Sequence, residues 1–226
     1  MTKSFPLGFV IIGMMVCMVL SGCLCNSQRC CNEWVTLFDG SDIDQWDIVE
    51  GGEWTIENDV LVGRNGRNWT TNPETCGSWL RSKKMYADFE LQLDYAISKN
   101  SNSGVHLRSA AEKNPSFTGY EMQIFDCYGK EANKYNSGIY DVVGLSKNVL
   151  KPAGEWNHAV IRAQGHLITI ILNGEKVVEH TGDRRLEGYL GLQNHDDRAV
   201  IRFRDIRIKE LKKPLIFGIH QLNPTI

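Results

Sequence analysis

The sequence predicts an all-β fold, a sandwich or jelly roll of two antiparallel sheets, on three observations. Apolar and polar residues alternate with a period of two through a series of short runs, the spacing that gives a strand one buried face. These runs are separated by segments rich in Gly, Asn, Pro and Asp, residues that turn a chain. No long stretch has helical periodicity, and many short strands between turns favour a sandwich over an alternating α/β fold.

The first thirty residues stand outside that pattern. After Lys3 comes the apolar run "LGFVIIGMMVCMVL", shorter than the roughly twenty residues that span a bilayer as a helix and suited to the hydrophobic region of a signal peptide. It is followed by "LSGC", Leu20 to Cys23, which resembles the bacterial lipobox. That resemblance implies a lipoprotein signal peptide over 1–22, lipidation at Cys23, a flexible tether over 23–33 and a protein of the bacterial cell envelope, lipid-anchored and facing the periplasm. Leu24 in place of Asp argues against retention in the inner membrane.

Within the domain, 34–211, the strand-like runs are Phe89 to Ile97, Ser103 to Ala110, Tyr120 to Asp126, His158 to Gly165, Leu167 to Gly174, Glu175 to Thr181, Gly188 to His195 and Ala199 to Glu210. Each is rich in β-branched or aromatic residues. Asn173 and Gly174 between two such runs are a strong hairpin signal. Short helical turns fit only parts of "NPETCGSWL", "SAAEKNPSF" and "GKEANKYN". The tail, 212–226, carries no pattern that assigns it a role.

Composition narrows the function. The formal net charge is −2, and the one basic segment, "RFRDIRIKELKK", alternates with Ile and Phe as the solvated face of a strand does. Nucleic acid, which needs a basic stripe, is excluded as a partner. Of the seven cysteines, Cys17 leaves with the signal and Cys23 carries lipid. Cys25, Cys30 and Cys31 lie in the tether without a nearby His, a poor match to a structural zinc site.

Alternation also sorts polar residues by face. Val105 and Leu107 oppose His106 and Arg108; Met122 and Ile124 oppose Glu121 and Gln123; Leu192 opposes Gln193 and His195. If these strands share one sheet, its face away from the core collects His106, Arg108, Glu121, Gln123, Gln193 and His195. Imidazoles, a guanidinium, a carboxylate and amides are groups that recognise sugars and move protons, whereas a merely soluble face is richer in Lys, Glu, Thr and Ser. Trp69, Trp79, Tyr128 and Tyr135 are candidate stacking platforms for a glycan, while Trp54 and Trp156 read as core.

The ordered segments "WVTLFDGSDIDQWDI", "GEWTIENDVLVG", "NSGVHLRS", "GYEMQIFD", "SGIYDVVG" and "GYLGLQNHDD" resemble the 3-keto-disaccharide hydrolase domain family from about Trp34 to Leu211. The resemblance implies a concanavalin-like jelly roll and a carbohydrate substrate. Its Asn-Ser-Gly pattern falls on Asn102, Ser103 and Gly104, its Glu-x-Gln-x-x-Asp pattern on Glu121, Gln123 and Asp126, and its Leu-Gln-x-His pattern on Leu192, Gln193 and His195. Many relatives carry glycine after that histidine, where this chain has Asp196 and Asp197.

A ketone at C3 of a glucoside acidifies the C2 proton, so the C1 substituent leaves by elimination and water then adds to the enone. Such a site needs a base, a proton donor and an electropositive group near the C3 oxygen. The expected catalytic pair is Glu121 and His195, either one as base and the other as acid. His106, Arg108, Gln123 and Gln193 are expected to bind substrate. A divalent metal held by His106, Glu121 or His195 is the alternative electrophile, although the spacing contains no dedicated metal motif. Asp126 should face away from Glu121, which argues against a two-carboxylate glycosidase. Two further readings are a lectin-like, non-catalytic glycan binder and a structural lipoprotein.

Overall fold

The computed structural model describes residues 33–212 apart from Asn68. The expected signal segment, the expected lipidation site Cys23, the tether cysteines and the tail beyond 212 lie outside the described residues.

The strands, in chain order, are β1 (Trp34–Phe38), β2 (Trp46–Val49), β3 (Glu53–Glu57), β4 (Val60–Arg64), β5 (Ser78–Tyr86), β6 (Phe89–Ile97) and β7 (Asn102–Ser109). A one-turn helix, α1 (Pro115–Thr118), precedes β8 (Tyr120–Phe125). Then follow β9 (Asn157–Gln164), β10 (Leu167–Leu172), β11 (Glu175–Thr181), β12 (Gly188–Asn194) and β13 (Ile201–Glu210). They form two antiparallel sheets. The larger runs β11-β10-β9-β6-β13-β4-β3, with β1 also paired to β13, and the smaller runs β2-β5-β12-β7-β8.

Facing follows the alternation. Leu91, Leu93, Ile161, Phe203 and Ile208 from the large sheet meet Leu80, Val105, Leu107, Met122, Ile124 and Leu192 from the small one in a single core. The β10–β11 hairpin turns at Asn173 and Gly174, both at positive φ (52° and 87°), as a two-residue turn of the primed type requires. Of the three candidate helical stretches, only the end of "SAAEKNPSF" forms a helix, capped by the Asn114 side chain on the Ser116 N–H. The basic stretch near the end becomes the outer face of β13. There Arg204 pairs with Asp94 and lies 4.1 Å over the Trp156 ring, so Trp156 is an outer-face residue and not core.

Arg108 departs from the expected facing. Between β12 and β7 the register runs Tyr189 to Ser109 and Gly191 to His106, which leaves one extra residue on β7. That is a bulge, and Arg108 sits in it at φ 53°. The side chain leaves the polar face: its guanidinium donates to Ala87 O (2.7 Å), Gly165 O (2.6 Å) and Asp88 Oδ1 (3.1 Å). Arg108 therefore ties the β5–β6 turn to the β9–β10 turn, and the substrate role expected for it is corrected to a structural one.

Candidate active site

The face of the small sheet turned away from the core carries Trp79 from β5, His106 from β7, Glu121 and Gln123 from β8, and Gln193 from β12. In register, His106 lies opposite Glu121, Gly104 opposite Gln123, and Gln193 opposite Trp79. The glycines between them make room. A Cβ on Gly104 would come within 2.7 Å of Glu121 Cγ and Cδ, and one on Gly191 within 2.5 Å of Trp79 Cζ3 and 2.9 Å of His106 Cδ2. This face is not a solvated one, as an outer face would be. The segment around Trp69, α1 and the stretch around Tyr140 roof it, leaving Glu121, Gln123 and Gln193 buried (3%, 6% and 3% exposed).

Under that roof is a cleft of about 100 Å³ lined by Glu121, Gln123, Gln193, His195, Asn102 and Tyr140, with Trp69, Ser116 and Phe117 on the roof side. Gln193 Nε2 donates to Glu121 Oε1 at 2.9 Å. Burial pushes the Glu121 carboxyl up to about 8, with hydrogen bonds from Ser116 and Gln193 offsetting only part of the effect. Gln123 Nε2 donates to Tyr135 O at 2.9 Å. The Tyr135 carbonyl can only accept, which fixes the Gln123 amide, and the Gln193 amide is placed with its NH2 toward Glu121 Oε1. Gln123 Oε1, Gln193 Oε1 and Asn102 Oδ1 are then left buried without a donor among the described residues. Acceptors of this kind are matched by a ligand rich in hydroxyl groups.

His195 follows the end of β12 and reaches the cleft from its rim. Its Nδ1 is 2.8 Å from Asp196 Oδ2, while Asp196 Oδ1 accepts the backbone N–H groups of Arg198 and Ala199, both at 2.9 Å. Partial burial works against ionisation of Asp196. The bonds from His195 and the two amides outweigh it and hold the carboxyl below the usual carboxylate range.

His106 shares the face but not the cleft. Its ring is fully buried between Trp69 (centroids 5.2 Å) and Trp79 (5.4 Å, edge-on), and neither nitrogen has a hydrogen-bond partner among the described residues. Burial pushes its pKa down to about 3, so it is neutral at physiological pH. The expected direct substrate contact is corrected accordingly: Trp69 lies over the ring. Among the described residues no three His, Cys, Asp or Glu side chains group together as a metal site would need. Asp126 accepts the Asn100 N–H at 2.8 Å and stays off the cleft, as expected.

Sequence reasoning missed Tyr140 and Asp196 as parts of the site. Tyr140 is brought in by its backbone N–H, which donates to Glu121 O at 2.9 Å, and its ring packs against Phe117. It sits in an irregular stretch where no periodicity points to it. Of the aromatic candidates, Trp69 lines the cleft, Trp79 is wholly buried, and Tyr128 and Tyr135 are exposed outside it.

A larger hollow, about 390 Å³, lies on the outer face of the large sheet among Asp39, Gln92, Asp94, His158, Asp205 and Arg207. Its polar groups largely satisfy one another: His158 Nδ1 is 2.7 Å from Asp94 Oδ1, and Arg207 binds Gln92 Oε1. The smaller cleft combines a perturbed carboxyl with unsatisfied amide oxygens, and is the better candidate.

Comparison with known proteins bears on the family and the fold. Residues 33–209 match the model of the 3-keto-alpha-glucoside-1,2-lyase-like domain. A Bacteroides thetaiotaomicron protein named 3-keto-disaccharide hydrolase is 25% identical, over 79% of this chain and 78% of its own. The crystal structure of a candidate glycosyl hydrolase from Parabacteroides distasonis ATCC 8503 superposes with a TM-score of 0.66 at 26% identity, covering 80% of this chain and all of the other. A Bacillus subtilis protein with a galectin-like fold, 12% identical, superposes at 0.58 over 81% of this chain and 97% of its own, a likeness of fold alone.

Proposed function

Since the chain belongs to the 3-keto-alpha-glucoside-1,2-lyase-like domain family, we propose that it cleaves the glycosidic bond of 3-keto-glycosides by elimination followed by hydration. The observation that carries this reading is Glu121, a carboxyl that burial keeps protonated near neutral pH, lining the same cleft as His195. Two titratable groups with such different surroundings divide naturally into acid and base.

In the first half, His195 removes the C2 proton, and the electron pair of that C–H bond moves into a C2–C3 enolate. The enolate collapses to restore the C3 ketone and form a C1–C2 double bond. The C1–O bond breaks, and Glu121 delivers its proton to the departing oxygen. In the second half, the Glu121 carboxylate takes a proton from water as the water oxygen bonds to C1, and protonated His195 returns a proton to C2. The net reaction is hydrolysis, with both side chains restored. The Asn102 amide and the Tyr140 hydroxyl are the donors offered to the C3 oxygen, where negative charge develops. Gln123 Oε1 and Gln193 Oε1 are the acceptors offered to sugar hydroxyls.

The reading is tested by giving the full-length protein a disaccharide oxidised at C3 and the same disaccharide unoxidised. Turnover is expected for the ketone alone, because only it acidifies C2. Comparable cleavage of the unoxidised sugar would contradict elimination.

A further inference from the structure

We propose that Asp196 is a positioning residue that sets which nitrogen of His195 carries the proton, holding the ring as the Nδ1–H tautomer with Nε2 left to act as base. This rests on the assignment of His195 as base and deepens it.

Geometry carries the inference. A carboxylate can only accept, so at 2.8 Å from Asp196 Oδ2 the His195 Nδ1 must be the donor. The carboxylate cannot swing away cheaply, because its other oxygen is held by the backbone N–H groups of Arg198 and Ala199. The histidine and its orienting group are adjacent in sequence. The tight turn that follows β12, closed by those two amides, lets neighbouring side chains meet.

The same bonds make an unusual prediction about Asp196→Asn. To keep both backbone N–H groups satisfied, the asparagine must direct its Oδ1 at them. Its Nδ2 then faces His195 Nδ1, two donors cannot share a bond, and the imidazole is driven to the Nε2–H form, which has no lone pair for C2. Asp196→Ala instead imposes no tautomer. With a 3-keto disaccharide as substrate, Asp196→Asn in the full-length protein is expected to lower kcat by roughly 10²- to 10⁴-fold. Asp196→Ala should lower it less, roughly 10- to 10²-fold, and neither should move KM by more than about threefold.

A merely structural Asp196 predicts the reverse order, since Asn keeps the turn and Ala does not. Nitrogen-15 NMR of the His195 ring should show Nδ1–H in the native protein and Nε2–H in Asp196→Asn, a readout that needs only the asparagine variant to fold. An asparagine variant at least as active as the alanine one, or with an unchanged tautomer, overturns the inference. His195→Gln separates the two levels. Retained turnover in that variant would overturn the assignment of His195 as base, and this inference with it. Abolished turnover beside an unaffected Asp196→Asn would overturn this inference alone.

Discussion

Replacing Glu121 by Gln is expected to lower kcat on a 3-keto disaccharide by roughly two to four orders of magnitude, the usual contribution of a positioned acid or base, and to change KM little. The amide keeps the shape of the side chain but has no proton to give the departing oxygen. In a single turnover, read as the first release of the leaving group before hydration begins, the loss should shrink sharply for a 3-keto-glucoside of an acidic phenol, whose oxygen leaves without protonation. An equal loss for both leaving groups would assign Glu121 to proton abstraction instead. A lectin-like domain, whose affinity should survive the substitution, would show glycan binding without turnover in either form.

The same variant should reshape stability against pH, because Glu121 and His106 pull in opposite directions. The folded state keeps the Glu121 proton up to about pH 8, while an ordinary carboxyl loses it near 4.5. Stability is therefore lost as pH rises across that window, at about 1.4 kcal/mol per pH unit for one proton. His106 stays neutral in the folded state down to about pH 3, against an ordinary 6.5, so its burial costs stability as pH falls across that window. Between pH 4.5 and 6.5 the two slopes cancel, giving a plateau that falls away on both sides. In Glu121→Gln the fall above pH 6.5 should disappear, leaving stability that rises from about pH 3 to 6.5 and then stays level. Urea melts across this range check it; an unchanged alkaline limb would mean that Glu121 is ionised in the folded protein.

Gly104→Ala is expected to reduce kcat by roughly 10²-fold and stability by about 1–3 kcal/mol, the range for overpacking a close-fitted interior. The added methyl would occupy the space of the Glu121 side chain, within 2.7 Å of its Cγ and Cδ. Glu121 also holds Gln193 at 2.9 Å, so it cannot yield without moving a second cleft residue. No positive φ is involved, and the effect is one of space alone. Activity and Tm together decide: an alanine variant with native kcat would mean that Glu121 can do its chemistry from another position.

Much of this arrangement is legible in the sequence because it obeys a period of two. From β6 to β13 the strands coincide with the alternating runs, and the shared face of Glu121, Gln123 and Gln193 follows from the alternation. The early strands lack that signature. β1 buries only its last two residues, and β5 sets Trp79 under a roofed second face while Lys83 and Lys84 face water. Neither pattern resembles a strand with one dry side. Alternation misplaces Arg108 because a single extra residue in a bulge reverses every facing beyond it. His106 was placed on the right face, but Trp69, distant in sequence, closes over it. Asp196 stood out only as a departure from a glycine, since its value comes from a turn geometry that no local pattern announces.

The central claim is that a proton leaves C2 and another returns there. It is tested most directly by letting the full-length protein turn over a 3-keto disaccharide in deuterated water, with the released 3-keto sugar incubated alone to correct for spontaneous exchange. The account predicts that the sugar released from the C1 side carries one deuterium at C2 above that control. A product that keeps its original hydrogen at C2, with no enone at any time during the reaction, would contradict it.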